Sequence, residues 1–307
     1  MTLQLREVQN RRDLRKFVRF PRLLYRENRY WVPPLYNGVM NTFDPDKNAA
    51  YEYSQSRQWL ALRDGVPVGR VAAILSEGHR QRWNQAYMRF GWLDFVDDRE
   101  VSAALLGVVE DWARQCGCSA VHGPLGFTDM DQAGMLVEGF DEPSTMATIY
   151  NHAYYPAHLE ALGYGKDTDW VEYEITVPEK PDEKISRLAA IIMRREELRL
   201  LEIKNKKDML ARAGEVFAVF NETYQNMYGY IPLNDRQIAG AGVAAFAEYR
   251  LVLGIDRIDF AAVAGMAKVA EHDPGNRVLA FAGAKNRHRA GVEQGVKIML
   301  GHGFRGG

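Results

Sequence analysis

The run RQWLALRDGVPVGRVAAIL, residues 57–75, decides the fold class. Its halves, 58–63 and 67–75, are β-rich, and Asp64-Gly65 between them tolerates the positive φ of a tight turn. Outward from this hairpin, YMRFGWLDFV (87–96) reads as a further strand. Asp97-Asp98 then opens a helix over about 99–116, with Val101, Leu105, Val108, Val109 and Trp112 at helical spacing and the acids at its positive end. A short strand at 119–123, a helix at 155–163 capped by Gly163, and an alternating strand at 168–177 follow. Upstream, Leu14, Phe17 and Val18 have helical spacing, and Pro33-Pro34 stops any helix. The order predicts an α/β (α+β) fold, a mixed sheet flanked by helices.

Pro178 and Pro181 lie among charged residues and read as a linker, giving a first domain at 1–177 and a second at 178–307. After it the pattern restarts, with a helix over 182–196, a strand over 198–203 and a helix over 206–225. Residues 239–307 have a different character: 26 of the 69 are Gly or Ala and their charge is +3 against −4 for the rest, while all six Trp lie at or before position 170. Within them 249–255 and 277–284 read as strands and 292–304 as a helix, without assignment to a known unit.

With 39 basic against 40 acidic residues, the chain has no general field to attract nucleic acid. Two cysteines, Cys116 and Cys118, form neither a disulfide framework nor a zinc set, so a reducing cytoplasm is expected. The first residues lack the apolar core of a signal peptide, and no stretch approaches 18 apolar residues, so secreted and membrane-spanning readings are set aside.

The loop that follows the 119–123 strand carries the densest chemistry. His122, Asp129, Asp131 and Glu138 lie among glycines, too acidic a setting to cradle phosphate. Carboxylates near a histidine can work as general acid and base or bind a divalent cation; equally, they can be solvated turn residues beside a structural histidine. Tyr150, Tyr154, Tyr155 and Asn151 supply hydrogen-bond donors, although tyrosines so spaced more often belong to a core. His152 and His158 are six apart, wrong for a helical zinc pair, and Cys118 has no activating motif. Residues 184–200 are basic and amphipathic, suited to a membrane surface or to packing on their own domain. Near the end, Arg287 and Arg289 precede Gly291 at a possible helix start, an arrangement able to bind phosphate.

The order of hairpin, strand, helix, strand, helix and strand, with Gly65, Val68, Gly69 and Arg70 in the turn and Leu162-Gly163-Tyr164 before the last strand, resembles the GCN5-related N-acyltransferase superfamily. Long strings resemble one subfamily, the bacterial ceramide synthase-like acyltransferases: FPRLLYRENRYWVPPL (20–35), RFGWLDFVDD (89–98), HGPLGFTDMDQAGMLVEGF (122–140), STMATIYNHAYYPAHLEALGYGKDTDWVEY (144–173) and FNETYQNMYGYIPL (220–233). The resemblance runs over residues 1–238. It implies two such domains in tandem, the second partial or diverged, and transfer of an acyl group from acyl-CoA to a long-chain amine such as a sphingoid base.

Two departures qualify this expectation. Asp97-Asp98-Arg99-Glu100 stand where the superfamily has its pyrophosphate loop, and Leu159 stands where it has a helix tyrosine. The first domain is therefore expected not to bind CoA, which falls to Arg287, Arg289 and Gly291 in the second. Beyond Ile238 the family strings stop, and the Gly, Ala and Arg enrichment suits a shifted reading frame. With acyl-CoA as co-substrate and no metal, His122, Asp129, Asp131 and Glu138 are expected on the amine side, and Tyr150, Asn151, Tyr154 and Tyr155 as donors. The rival is a non-catalytic acyl-CoA- or lipid-binding scaffold; a weaker third reading is a metal-dependent hydrolase built on the loop acids. A cytoplasmic protein, peripheral at the inner membrane surface through 184–200, fits the first reading.

Overall fold

A computed structural model describes residues 2–145, 148–172, 182–196, 206–239 and the strand 294–301. Among these, the residues up to Trp170, with Tyr224–Asn234 and 295–301, form one compact unit and the remainder a second.

The first unit is built on a mixed sheet in the order β1 (Leu3–Glu7), β2 (Ser54–Arg63), β3 (Val66–Ser76), β4 (Tyr87–Phe95) and β5 (Ala120–Gly123). The first four strands are antiparallel to their neighbours, whereas β4 and β5 run parallel. The hairpin turn is as expected: Asp64 and Gly65 have φ of 50° and 82°, and Arg63 faces Val66 across it. Both faces of the sheet are covered, so long stretches of β2, β3 and β4 are buried on both sides rather than alternating. Trp59, Ala61, Val71, Ala73 and Phe90 pack under α4 (Arg99–Gln115) and α5 (Tyr155–Ala161). Leu60, Leu62, Ala72 and Ile74 face the opposite way, toward α1 (Arg11–Leu24) and α2 (Tyr36–Thr42).

Close packing explains Gly69. A β-carbon there would lie 2.7 Å from Leu105 Cδ1 and 2.9 Å from Val101 Cγ1, so α4 seats directly on the backbone of β3. Its neighbour Arg70 is buried, paired with Asp94 at 2.7 Å and bonded to Phe17 O at 3.0 Å, which ties α1 to the sheet. Opposite, the β3–β4 register shifts between Arg70 and Ala72, and Trp92 takes a φ of 46°. This bulge kinks β4 in mid-strand, as bulges do beside functional sites. Trp92 settles against Phe43 and Phe127, with ring centroids 4.7 and 6.2 Å away.

Helix boundaries follow the capping residues. Asp98 caps α4 by accepting from Glu100 N at 2.9 Å, and Gly163, at φ 86°, follows the last turn of α5. The strand after it, β7 (Tyr164–Glu172), starts four residues before the expected 168. The two-residue β6 (Met135–Leu136) closes the acidic loop. Residues 294–301 form a strand, β8, antiparallel to β5 and β6, where the sequence predicts a helix. Gly295 and Gly301 at its ends and β-branched Val296 and Ile298 between them suit an extended chain better than a helix.

In the second unit, α6 (Glu183–Arg195) is capped by Asp182, and α7 runs over Lys206–Tyr224. The expected strands at 198–203, 249–255 and 277–284 lie outside the described residues. No helix among the described residues is long and apolar enough to cross a membrane.

Candidate functional site

Parallel pairing of β4 with β5 places Arg89 opposite His122. Both side chains leave the sheet on the face away from Phe90 and Val121, and both are buried. A third buried group comes from the β3–β4 connection: α3 (Glu77–Trp83), capped by Ser76, carries His79. The His79 ring lies 4.8 Å from that of His122.

Arg89 joins three separate segments. It donates to Nδ1 of His79 at 3.1 Å, to Gly126 O in the acidic loop at 3.1 Å, and to Gly229 O at 2.5 Å. Gly229 belongs to residues 224–234, which follow α7 and pack with the first unit. That strap is also held by Trp83 Nε1 on Tyr230 O at 3.0 Å, by Arg82 on Gln225 O at 2.6 Å and by Asn234 on Glu52 at 2.7 Å. Its three tyrosines, Tyr224, Tyr228 and Tyr230, have their phenols pushed up by burial first.

Buried polar groups are nearly always hydrogen-bonded. Here Arg89 Nε, His79 Nε2, His122 Nε2 and Asp129 Oδ2 have no hydrogen-bond partner among the described residues. Burial, with the Arg89 charge next, lowers the His79 pKa to about 3, a shift opposed by nearby Gln85, which stays outside hydrogen-bond geometry. The same two causes, then His79, hold His122 well below its ordinary value. Both rings are therefore neutral at pH 7. His79 accepts at Nδ1, so its proton sits on Nε2. Asp129 is raised to about 7 by burial, against the pull of Arg89 and with a further push from Asp131.

The two loop acids have separate tasks. Asp131 Oδ2 accepts from Phe127 N at 2.9 Å and Thr128 N at 3.1 Å, which folds the loop back on itself. Gly126 makes room for it, since a β-carbon there would fall 2.2 Å from Asp131 Cβ. Burial raises Asp131 to about 6, and those two backbone bonds oppose the rise. Asp129 keeps a free oxygen in the buried cluster. Glu138 is exposed.

Asn151 is committed to backbone: Oδ1 accepts from Leu136 N at 2.7 Å, and Nδ2 donates to Leu136 O and His152 O. Tyr150 donates to Phe140 O at 2.7 Å and accepts from Asn28. Tyr154 donates to Phe95 O, while Tyr155 accepts from Phe95 N at 3.0 Å and shares a bond with Tyr25, itself a donor to Asp94. Burial raises the phenols of Tyr25, Tyr154 and Tyr155 first, and Asp94 or Asp97 raises them further. These hydroxyls hold β4 and α1 together.

The start of α4 does not suit a diphosphate. The Asp98 side chain already occupies the Glu100 amide, Arg63 is paired with Asp98 and Glu100 at 2.7 Å each, and Asp97 accepts from His158 at 2.9 Å. His158 also bonds Ser102 on α4, and Leu159 is fully buried in the core. Cys118 is buried, with its thiol pushed up by desolvation first. Arg287, Arg289 and Gly291 lie outside the described residues. Among the described residues no three His, Cys, Asp or Glu are grouped to hold a metal ion.

Sequence reasoning singled out His122, Asp129 and Asp131 but missed His79, Arg89 and the strap. Arg89 carried a signal: it is a full charge set between Met88 and Phe90 in a largely apolar strand, where Asp94 is the other charge.

No family model matches the chain. It is 29% identical over 241 residues to Protein YghO of Escherichia coli (strain K12), a span covering 78% of this chain and 60% of that protein. Against the bacterial ceramide synthase of Caulobacter vibrioides it is 25% identical over 236 residues, 74% of this chain and 60% of that one. The chain thus spans less than two thirds of the length of both curated relatives. Among solved structures, a tandem GNAT protein from the clavulanic acid biosynthesis pathway aligns with a TM-score of 0.42 and 12% identity, covering 81% of this chain and 66% of that one. The resemblance read from the loop and tyrosine strings stands: over 74% of its length the chain is similar to a bacterial ceramide synthase.

Proposed function

We propose that the chain is part of an N-acyltransferase that moves an acyl group from acyl-CoA to a long-chain amine such as a sphingoid base. The observation that carries this reading is the buried, unpartnered Asp129 Oδ2 beside Arg89, on a carboxyl raised to about 7. A group with that pKa is matched to taking a proton from an ammonium near neutral pH. The amine so freed attacks the thioester carbonyl; the C–N bond forms, the C–S bond breaks and the thiol leaves with a proton. His79 Nε2–H and His122 are neutral donors suited to a polar acceptor head. Similarity to a bacterial ceramide synthase supports the choice of an amine acceptor.

CoA itself is assigned to the second domain, at Arg287, Arg289 and Gly291, because acids fill the first unit's helix start. Helix α6 supports contact with a lipid surface. Ile185, Leu188, Ile191 and Ile192 are exposed beside Lys184, Arg187, Arg194 and Arg195. This would place the protein in the cytoplasm, peripheral at the inner membrane surface.

A second reading, a non-catalytic acyl-binding scaffold, is favoured by one observation: both Phe95 N and Phe95 O on β4 are sealed by tyrosine hydroxyls. Product analysis by mass spectrometry, with palmitoyl-CoA and a panel of long-chain amines, separates the two. Amide product supports the enzyme. Thermal stabilisation by palmitoyl-CoA without product supports the scaffold. Loss of that stabilisation in Arg289→Glu supports the CoA assignment.

A further inference from the structure

We propose that Arg89 is a positioning residue that acts through Asp129, holding the acidic loop against the 224–234 strap and fixing the charge of the Asp129 carboxyl. The proposal rests on the acyltransferase reading for its kinetic consequence, but the coupling itself does not.

The geometry carries it. Arg89 is fully buried, and its terminal nitrogens reach three elements that otherwise have no common anchor among the bonds described above. One of its acceptors, Gly126 O, lies three residues before Asp129, inside the turn that Asp131 closes. A second, Gly229 O, stands between Tyr228 and Tyr230, which with Tyr224 border the same cluster. The third, His79 Nδ1, can accept from Arg89 only while unprotonated, so a second positive charge is kept out. Arg89 Nε and Asp129 Oδ2 are then left as an unpaired donor and an unpaired acceptor.

The groups acting on Asp129 are Arg89 and Asp131. Tyr224 and Tyr230 border Asp129, and His79 and His122 border Arg89. Both histidines are neutral and both tyrosines protonated at pH 7, so among the described residues Arg89 is the cation that acts on Asp129. Removing it takes away the charge that favours the Asp129 anion, and the carboxyl pKa must rise.

The test uses the full chain with Arg89→Met, Arg89→Lys and Asp129→Asn. Titration of the Asp129 carboxyl is followed by carbon NMR, with Asp129→Asn identifying the signal, and the pH profile of amide formation is measured in parallel. In Arg89→Met the carboxyl midpoint is expected to move up by about one pH unit or more. The acidic limb of kcat is expected to move with it. Arg89→Lys keeps the charge but not the three-way fork, so the midpoint is expected near the wild-type value while kcat falls about 10-fold or more. An unmoved or lowered midpoint in folded Arg89→Met overturns the proposal. If Arg89→Met does not fold, an Arg89→Lys enzyme with unchanged kcat overturns it. A wild type that forms no amide overturns the acyltransferase reading alone, because the carboxyl titration still decides the coupling.

Discussion

Asp129 and Asp131 are two residues apart, similar in sequence context, and differently bonded. Asp131 spends its carboxylate on Phe127 N and Thr128 N, so Asp131→Ala leaves two backbone donors short of an acceptor. The expected cost is about 1–3 kcal/mol in chemical denaturation. Asp129→Asn is expected to keep the fold, by circular dichroism, and to lower amide formation by about 10²–10⁴-fold. The base form of Asp129 exists above its pKa, so activity is expected to fall as pH drops through about 7. A rate flat from pH 8 to pH 5 would contradict that role. The sequence could nominate both acids, because glycines and carboxylates after a strand are readable. It could not sort them, since the choice depends on which oxygen meets a backbone amide in the folded loop.

At the level of elements, the hairpin, α4 and α5 were legible because their signals are local: a two-residue turn, a capping aspartate and an apolar stripe. Short α3 was not, since seven residues with one buried histidine show no periodicity. The tyrosine block was legible as aromatic, but not the backbone groups of Phe95 and Phe140 that its hydroxyls bond. Gly69→Ala tests the seating of α4 on β3: the added carbon would sit 2.7 Å from Leu105, with an expected loss of about 1–3 kcal/mol. For α6, Leu188→Glu and Ile185→Glu are expected to weaken sedimentation with anionic vesicles several-fold. Equal binding by the variants would remove the lipid-surface contact.

Across the whole molecule, the near-zero net charge hides two unlike parts, +3 over 239–307 and −4 elsewhere. The linker prolines suggest a simple boundary near 178, but residues 224–234 return to the first unit and supply Gly229 to Arg89. No local pattern announces such a return; it follows from a buried guanidinium finding a distant carbonyl. The candidate site is therefore assembled from α3, β4, β5, the acidic loop and the strap. Whether this assembly serves acyl transfer to an amine is decided by mass spectrometry of the full chain with palmitoyl-CoA and a sphingoid base. An amide product is expected in the wild type, and its loss in Asp129→Asn. Amide formed equally by both proteins, or by neither, would contradict that function.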